Sequence, residues 1–390
     1  MRTAYRSRTL LLGLAALLSV VALVVPVVAQ SGATGTLVYI GTYTSPASKG
    51  IYVSRLDPIT GTLSAPTLAA EGRNPSFLAA TADGRFLYAV NEVDSVGERA
   101  GGAVTGYAID KASGALKLLN SQTTVGGGPA HVSVAGRMVF AANYGGGSVA
   151  AYQIQPDGTL KPHSAFVQHQ GSSVNKARQA KPHAHAATAD PSGRFLYVPD
   201  LGLDQVVTYR IDAATGTLTP ATPPFSNVLP AGAGPRHIAI SRTGRHAYVI
   251  TEMLCTIVAF DRNETTGALT PIQTISTLPV GQAVAEGMST AEVLLHPSGK
   301  FLYGSNRGHD SLVVYAVDAA SGKLTLVQHI PTGGKAPRAF NIEPSGTFLV
   351  AGNQNSDTIA VFKIDATTGK LTSTGQSVSL GKPVSFEFVR

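Results

Sequence analysis

The chain has 390 residues, of which 44% are hydrophobic, and 30 Lys and Arg against 23 Asp and Glu give a formal charge of +7. Arg2, Arg6 and Arg8 all precede the apolar run 9–25, so the rest of the chain carries roughly +4 and lacks the dense basic stripe expected of a nucleic-acid binder. Cys255 is the only cysteine, which excludes an intramolecular disulfide and leaves stability to packing.

Residues 1–30 read as an export signal: a basic start, a long apolar run and the small residues Val27-Val28-Ala29, with cleavage expected after Ala29. The alternative is an uncleaved anchor, because the apolar run approaches a membrane span in length. Nothing later in the chain resembles a second span, so no membrane contact is expected beyond this segment. Residues 31–390 then form one domain built from a repeat. Leu37-Val38-Tyr39-Ile40-Gly41-Thr42-Tyr43 reads as a second strand with no first strand before it.

One phrase follows seven times: aspartate, a short polar spacer, Thr or Ser, glycine, any residue, leucine. It occupies 57–63, 110–116, 157–160 in shortened form, 212–218, 261–269, 318–324 and 365–371. A period of roughly fifty residues means one supersecondary unit per repeat. A second turn phrase occurs as Asp83-Gly84-Arg85-Phe86-Leu87-Tyr88, Ser192-Gly193-Arg194-Phe195-Leu196-Tyr197 and Ser298-Gly299-Lys300-Phe301-Leu302-Tyr303, with weaker copies at Gly136, Gly244 and Gly346. The flanking segments are short, alternating and β-branched or aromatic, and four such strands fit each unit. The fold expected is all-β, a seven-bladed β-propeller closed by pairing of its N- and C-terminal strands, with 384–389 supplying the strand missing from the first blade. Lack of tryptophan excludes a WD-type repeat. A pair of β-sandwiches is the alternative architecture.

In an up-and-down blade, the Ser-Gly-Arg and Thr-Gly-x-Leu turns share one face, and the irregular loops share the other, where specificity belongs. Ten residues upstream of the second turn's aromatic position, at the start of the innermost strand, lie Ser76, His185, Arg236, Ala291 and Arg338, with Ala130 in a shortened unit. His131, His237 and Glu292 follow three of them. The turn after strand two contributes Tyr43, Glu92, Tyr144, Leu201, Glu252, Arg307 and Gln354. Arg236, Arg307 and Arg338 around one mouth repel one another unless an anion or carboxylates balance them. His237 also reads as a satisfied inner-strand histidine. His183 and His185 have a spacing that could hold a metal, but no third ligand is evident. No nucleophile elbow, zinc-protease motif or phosphate-cradling loop is present, so no cofactor is implied.

With Tyr39-Ile40-Gly41-Thr42-Tyr43, Lys181-Pro182-His183-Ala184-His185, Gly234-Pro235-Arg236-His237-Ile238, Ser305-Asn306-Arg307-Gly308-His309-Asp310-Ser311 and Pro337-Arg338-Ala339-Phe340, the chain resembles the propeller lactonase family. That family includes bacterial propeller-type 6-phosphogluconolactonases and fungal carboxy-cis,cis-muconate cyclases, and the resemblance covers nearly all of 36–390. It implies His185, Arg236, Glu252 and Arg307 as catalytic residues, with His183 as the alternative histidine. His183, His237, Arg338, Asn306 and Gln354 are the expected substrate-binding set. Thr251-Glu252-Met253-Leu254-Cys255 departs from the family's more usual Asn-Glu followed by polar residues. The implied activity is metal-free hydrolysis of a small anionic or sugar lactone: arginines hold the anion and steady the oxyanion, Glu252 or His185 takes a proton from water, and His185 donates to the leaving alkoxide. The alternatives are lactonisation of the cyclase type and a non-enzymatic periplasmic binding propeller.

Overall fold

Alternating side chains give every strand two packing faces, one for each neighbouring blade, and glycines at positive φ reverse the chain between strands. The computed structural model describes Met1, residues 35–228 and residues 230–389, so residues 2–34, with most of the expected export signal and the expected cleavage after Ala29, lie outside the described residues. Among the described residues there are seven four-stranded antiparallel sheets and one two-stranded hairpin, Ser95–Val96 with Arg99–Ala100. Each blade runs outward from the axis, as blade 5 does through Pro235–Ile240, His246–Thr251, Thr256–Arg262 and Leu269–Ser276. The inner strands of neighbouring blades touch one another around a central channel.

The circle closes with the C-terminus. Pro383–Val389 pairs antiparallel with Thr36–Thr42, Tyr39 opposite Glu387, and becomes the innermost strand of blade 1. It also grips blade 2, because Leu78 N donates to Ser385 Oγ at 3.1 Å and Ala80 N donates to Glu387 Oε1 at 3.1 Å.

The two repeated phrases meet across blade boundaries. The tyrosine of the Phe-Leu-Tyr phrase donates to the turn glycine of the next blade: Tyr88 to the Gly158 carbonyl at 2.9 Å, Tyr197 to Gly267 at 2.8 Å and Tyr303 to Gly369 at 2.9 Å. Tyr39 bonds the Gly114 carbonyl in the same way at 3.0 Å. The phenylalanine two residues earlier packs on that glycine; a Cβ on Gly267 would stand 2.5 Å from the Phe195 ring. On the outer strands, Gln273 and Gln328 bond the backbone of Leu324 and Leu371 in the following blade. Gln376 accepts from Leu63 N at 2.9 Å, which ties blade 7 to blade 1.

Apolar burial follows the same logic, since the buried clusters straddle boundaries. Phe195 and Tyr197 of blade 4 pack with Ala247, Val249 and Phe260 of blade 5. All the repeated turns lie on one face, so the long connections and the turns after strand two have the other face to themselves.

Gly267→Ala should lower stability by about 2–5 kcal/mol, combining a left-handed backbone at φ +80° with overlap on Phe195. Gly193→Ala, with φ +68° but nothing within 4 Å of the added Cβ, should lose only the backbone part, about 1–2 kcal/mol. Urea unfolding of the two variants separates the contributions; equal losses would remove the interlock from the account.

Candidate active site

The mouth residues owe their positions to strand alternation. Where strand two ends on the open face, one residue turns into the blade and the next turns toward the axis. Asn306 belongs to the first group: it is fully buried, and its Nδ2 donates to the Thr277 carbonyl at 2.9 Å and to Ser311 Oγ at 3.2 Å. Asn143 and Asn353 make the matching bonds in blades 3 and 7, to the Thr124 and Thr332 carbonyls. Asn306 therefore pins the turn and does not line the mouth, contrary to its expected place in the substrate-binding set. Its neighbour Arg307 faces the axis.

Glu252, from blade 5, is the hub. Its Oε2 accepts from Arg236 Nε at 3.1 Å and pairs with Arg307 Nη2 at 3.1 Å, and its Oε1 accepts from Arg178 Nη2 at 2.6 Å. His185 Nε2 lies 3.8 Å from Oε2, beyond direct hydrogen bonding. Arg236, only 2% exposed, also donates from Nη1 to the Ala291 carbonyl at 2.7 Å. Arg307 donates from Nε and Nη2 to the Thr290 carbonyl at 3.2 and 2.8 Å. The structure thus brings together all four expected catalytic residues.

Behind Arg236 runs a buried chain. Arg236 Nη1 donates to His237 Nε2 at 3.1 Å, and His237 Nδ1 donates to Glu292 Oε1 at 2.8 Å. This arrangement needs a neutral His237 with its proton on Nδ1. His237 therefore supports Arg236 from behind. The rings of His131 and His185 flank His237, with centroids 5.3 Å away in each case.

The other expected residues divide. Arg338 reaches the mouth from blade 7, donating to Tyr43 OH at 2.8 Å; Tyr43 in turn donates to Glu92 Oε2 at 2.8 Å, which also accepts from Ser76. Gln354 lies to one side, in a cavity of about 310 Å3 shared with Arg307, Ser289 and Lys335. His183 bonds the Tyr144 carbonyl through Nδ1 at 2.8 Å and stacks on the Tyr144 ring. The His185 ring meets the same Tyr144 ring edge-on, and among the described residues no three His, Cys, Asp or Glu side chains cluster as metal ligands.

The electrostatics follow from burial. Burial alone raises the Glu252 pKa, but Arg307, Arg236 and Arg178 outweigh it and hold the carboxyl at about 2. Burial, reinforced by Arg338 and Arg307, pushes Arg236 down to about 9. Burial, with Arg236, His237 and Arg338, holds His185 well below its ordinary value, so the imidazole is neutral at pH 7. His185 Nδ1 is buried without a partner among the described residues, which favours the tautomer with the proton on Nε2, facing Glu252. A neutral His185 donates a hydrogen bond but is not the proton source that the sequence reading expected for the leaving alkoxide.

Sequence reasoning missed Arg178. It lies in the connection between blades 3 and 4, outside either repeated phrase. The signal was the wide gap between the repeat glycines Gly158 and Gly216, which marks extra chain on the open face.

The geometry can be set beside known proteins. The family model "Lactonase, 7-bladed beta-propeller" matches residues 37–388. The chain belongs to this lactonase family. The lactonase chain is 37% identical to the 6-phosphogluconolactonase of Bacillus subtilis over 304 residues, covering 77% of this chain and 83% of the relative. A 6-phosphogluconolactonase of Formosa agariphila is 30% identical over 275 residues, covering 69% and 75%. The structure of a periplasmic gluconolactonase from Pseudomonas aeruginosa superposes with a TM-score of 0.85 at 36% identity, covering 92% of this chain and 99% of that one.

Below the mouth, Glu292 and Glu387 both line the channel cavity of about 280 Å3, and burial pushes each carboxyl up to about 7. Between the ordinary value of 4.5 and about 7 the unfolded chain has lost these protons while the folded propeller keeps them. Their contribution to stability is full below 4.5 and disappears as pH rises through about 7. The double variant Glu292→Gln/Glu387→Gln should therefore lose less of its melting temperature between about pH 5 and 8 than the parent, by a few degrees. Parallel pH dependences in scanning fluorimetry would contradict this.

Proposed function

We propose that this lactonase-family chain hydrolyses a small anionic lactone outside the cytoplasm, using the side chains of His185, Arg236, Glu252 and Arg307. The observation that carries the reading is a buried Glu252 carboxyl ringed by three guanidinium groups, with His185 Nε2 3.8 Å from its Oε2. Four arginines, with Arg338, stand at the mouth, where Glu252 pairs with three of them and Glu92 reaches Arg338 through Tyr43. Positive charge in excess draws an anionic substrate in. The N-terminal segment and the similarity to a periplasmic gluconolactonase support an extracytoplasmic site of action. The similarity to 6-phosphogluconolactonases supports lactone opening as the reaction.

In the proposed reaction the arginines hold the substrate's carboxylate or phosphate and stabilise the carbonyl oxygen as it becomes an oxyanion. Glu252 accepts a proton from water as the water oxygen bonds to the carbonyl carbon. The tetrahedral intermediate expels the ring oxygen, and Glu252 returns its proton to that alkoxide, leaving a hydroxy acid that ionises to solvent. His185 donates a hydrogen bond from Nε2 to the reacting oxygen. Glu292 and His237 act indirectly, by holding Arg236 in place.

Proton release by the purified chain tests this on neutral sugar, phosphosugar and carboxylated lactones. Glu252→Gln should lower kcat by about 10²–10⁴-fold, and Arg236→Ala by about 10²-fold or more. Unchanged turnover in both variants would remove the site, and binding without turnover on any lactone would make the chain a ligand-binding propeller. Since Glu252 stays ionised and His185 neutral, kcat/KM of Glu292→Gln on a carboxylated lactone, which removes the Glu292 and phosphate titrations near this range, should be level from about pH 5 to 8. A limb near the ordinary histidine value would instead assign the chemistry to a protonated His185.

A further inference from the structure

We propose that Arg178 is a substrate-displaced gate on Glu252, which makes the site respond selectively to lactones bearing an anion. The inference rests on the reading of Glu252 as the base.

The three guanidinium groups on Glu252 are not equivalent. Arg236 and Arg307 are held from behind by the Ala291 and Thr290 carbonyls, and their side chains are 2% and 17% exposed. Neither can leave without stranding a buried charge. The Arg178 side chain is 43% exposed, and its recorded partners are Glu252 Oε1 and Tyr144 OH, both reached from Nη2 at 2.6 and 3.1 Å. Its Nε and Nη1 carry no side-chain or carbonyl bond among the described residues, so the guanidinium has a free edge to offer an anion.

The backbone beneath Arg178 is anchored. Gln179 is fully buried and donates from Nε2 to the Leu201 carbonyl at 2.8 Å; Ser173 N donates to the Gln179 carbonyl at 2.9 Å, and Ser173 Oγ to Asp204 Oδ2 at 2.5 Å. The moving part is therefore the arginine side chain and not the loop.

Arg178 is also the residue bonded to Oε1, the oxygen that Arg236 and Arg307 leave open. While it stays there, Arg178 takes up one of the lone pairs through which Oε1 could accept a proton from water, and one of the charges that hold Glu252 acidic remains in place. A phosphate or carboxylate in the mouth competes for the Arg178 fork with charge-assisted, bidentate bonds. Transfer of Arg178 from Glu252 to the ligand frees Oε1 and makes the carboxylate more basic at the moment the substrate is seated. A neutral lactone has nothing to exchange for Glu252 and leaves the gate shut.

The test compares kcat and KM of Arg178→Ala on 6-phosphoglucono-δ-lactone and on glucono-δ-lactone, which differ only by the phosphate, with Glu252→Gln alongside. For the phosphorylated lactone, KM should rise roughly ten- to hundredfold with kcat retained. For the neutral lactone, kcat should rise several-fold with KM unchanged, because the oxygen is permanently free. Arg178→Lys should recover part of the lost KM and none of the gain on the neutral lactone. Equal changes on both lactones, or none on either, overturn the gate while a dead Glu252→Gln keeps the base reading. Wild-type turnover by Glu252→Gln, or no wild-type turnover on both lactones, overturns the reading and the gate together.

Discussion

A ring of sheets is only as sound as its weakest boundary, and here three boundaries, between blades 2 and 3, 4 and 5, and 6 and 7, are sealed by one repeated contact: a tyrosine hydroxyl and a phenylalanine ring from one blade set on a turn glycine of the next. The glycine is required twice, for its positive φ and because any Cβ would enter the aromatic ring. With the repeated turns and their contacts to the neighbouring blades on that face, the opposite face has no structural duty to repeat itself. Glu252 from blade 5, Arg307 from blade 6, Arg338 from blade 7 and His185 from blade 4 can then meet at the axis, though they are far apart in sequence. The C-terminal strand completes the arrangement by gripping both Thr36–Thr42 and the inner strand of blade 2.

Within that frame, charge balance organises the site. Arg236 and Arg307 are buried cations whose mutual repulsion would be costly without Glu252 between them, and Glu252 is a buried carboxylate that would be protonated more readily without them. Burial pushes both carboxyls upward, but Glu292 has no arginine bonded to it to outweigh that and rises to about 7. Two carboxyls a short chain of contacts apart thus have different tasks. Glu252 remains ionised at the mouth, and Glu292 holds the tautomer of His237 behind Arg236.

The repeat made most of this legible from residues alone. Seven Gly-x-Leu turns defined the blades, the orphan strands at the two ends defined the closure, and counting back from the Phe-Leu-Tyr phrase reached His185, Arg236 and Arg338. Asn306 went astray by a single position: its neighbour faces the axis, and alternation turns Asn306 into the blade. Arg178 escaped because periodicity says nothing about a loop found in one repeat. His185 was recognisable as a mouth residue, yet its neutrality depends on burial and on Arg236, His237 and Arg338, none of which sequence spacing measures.

The central claim is that one carboxylate, Glu252, is kept ionised by arginines from separate parts of the ring and yields its basicity only when an anion takes one of them. The direct measurement is a 13C titration of the Glu252 carboxyl, assigned by its loss in Glu252→Gln, with and without inorganic phosphate. The account expects a pKa near 2 in the free protein and a higher value with phosphate bound. A carboxyl that titrates at the ordinary value of 4.5 in both conditions would contradict it.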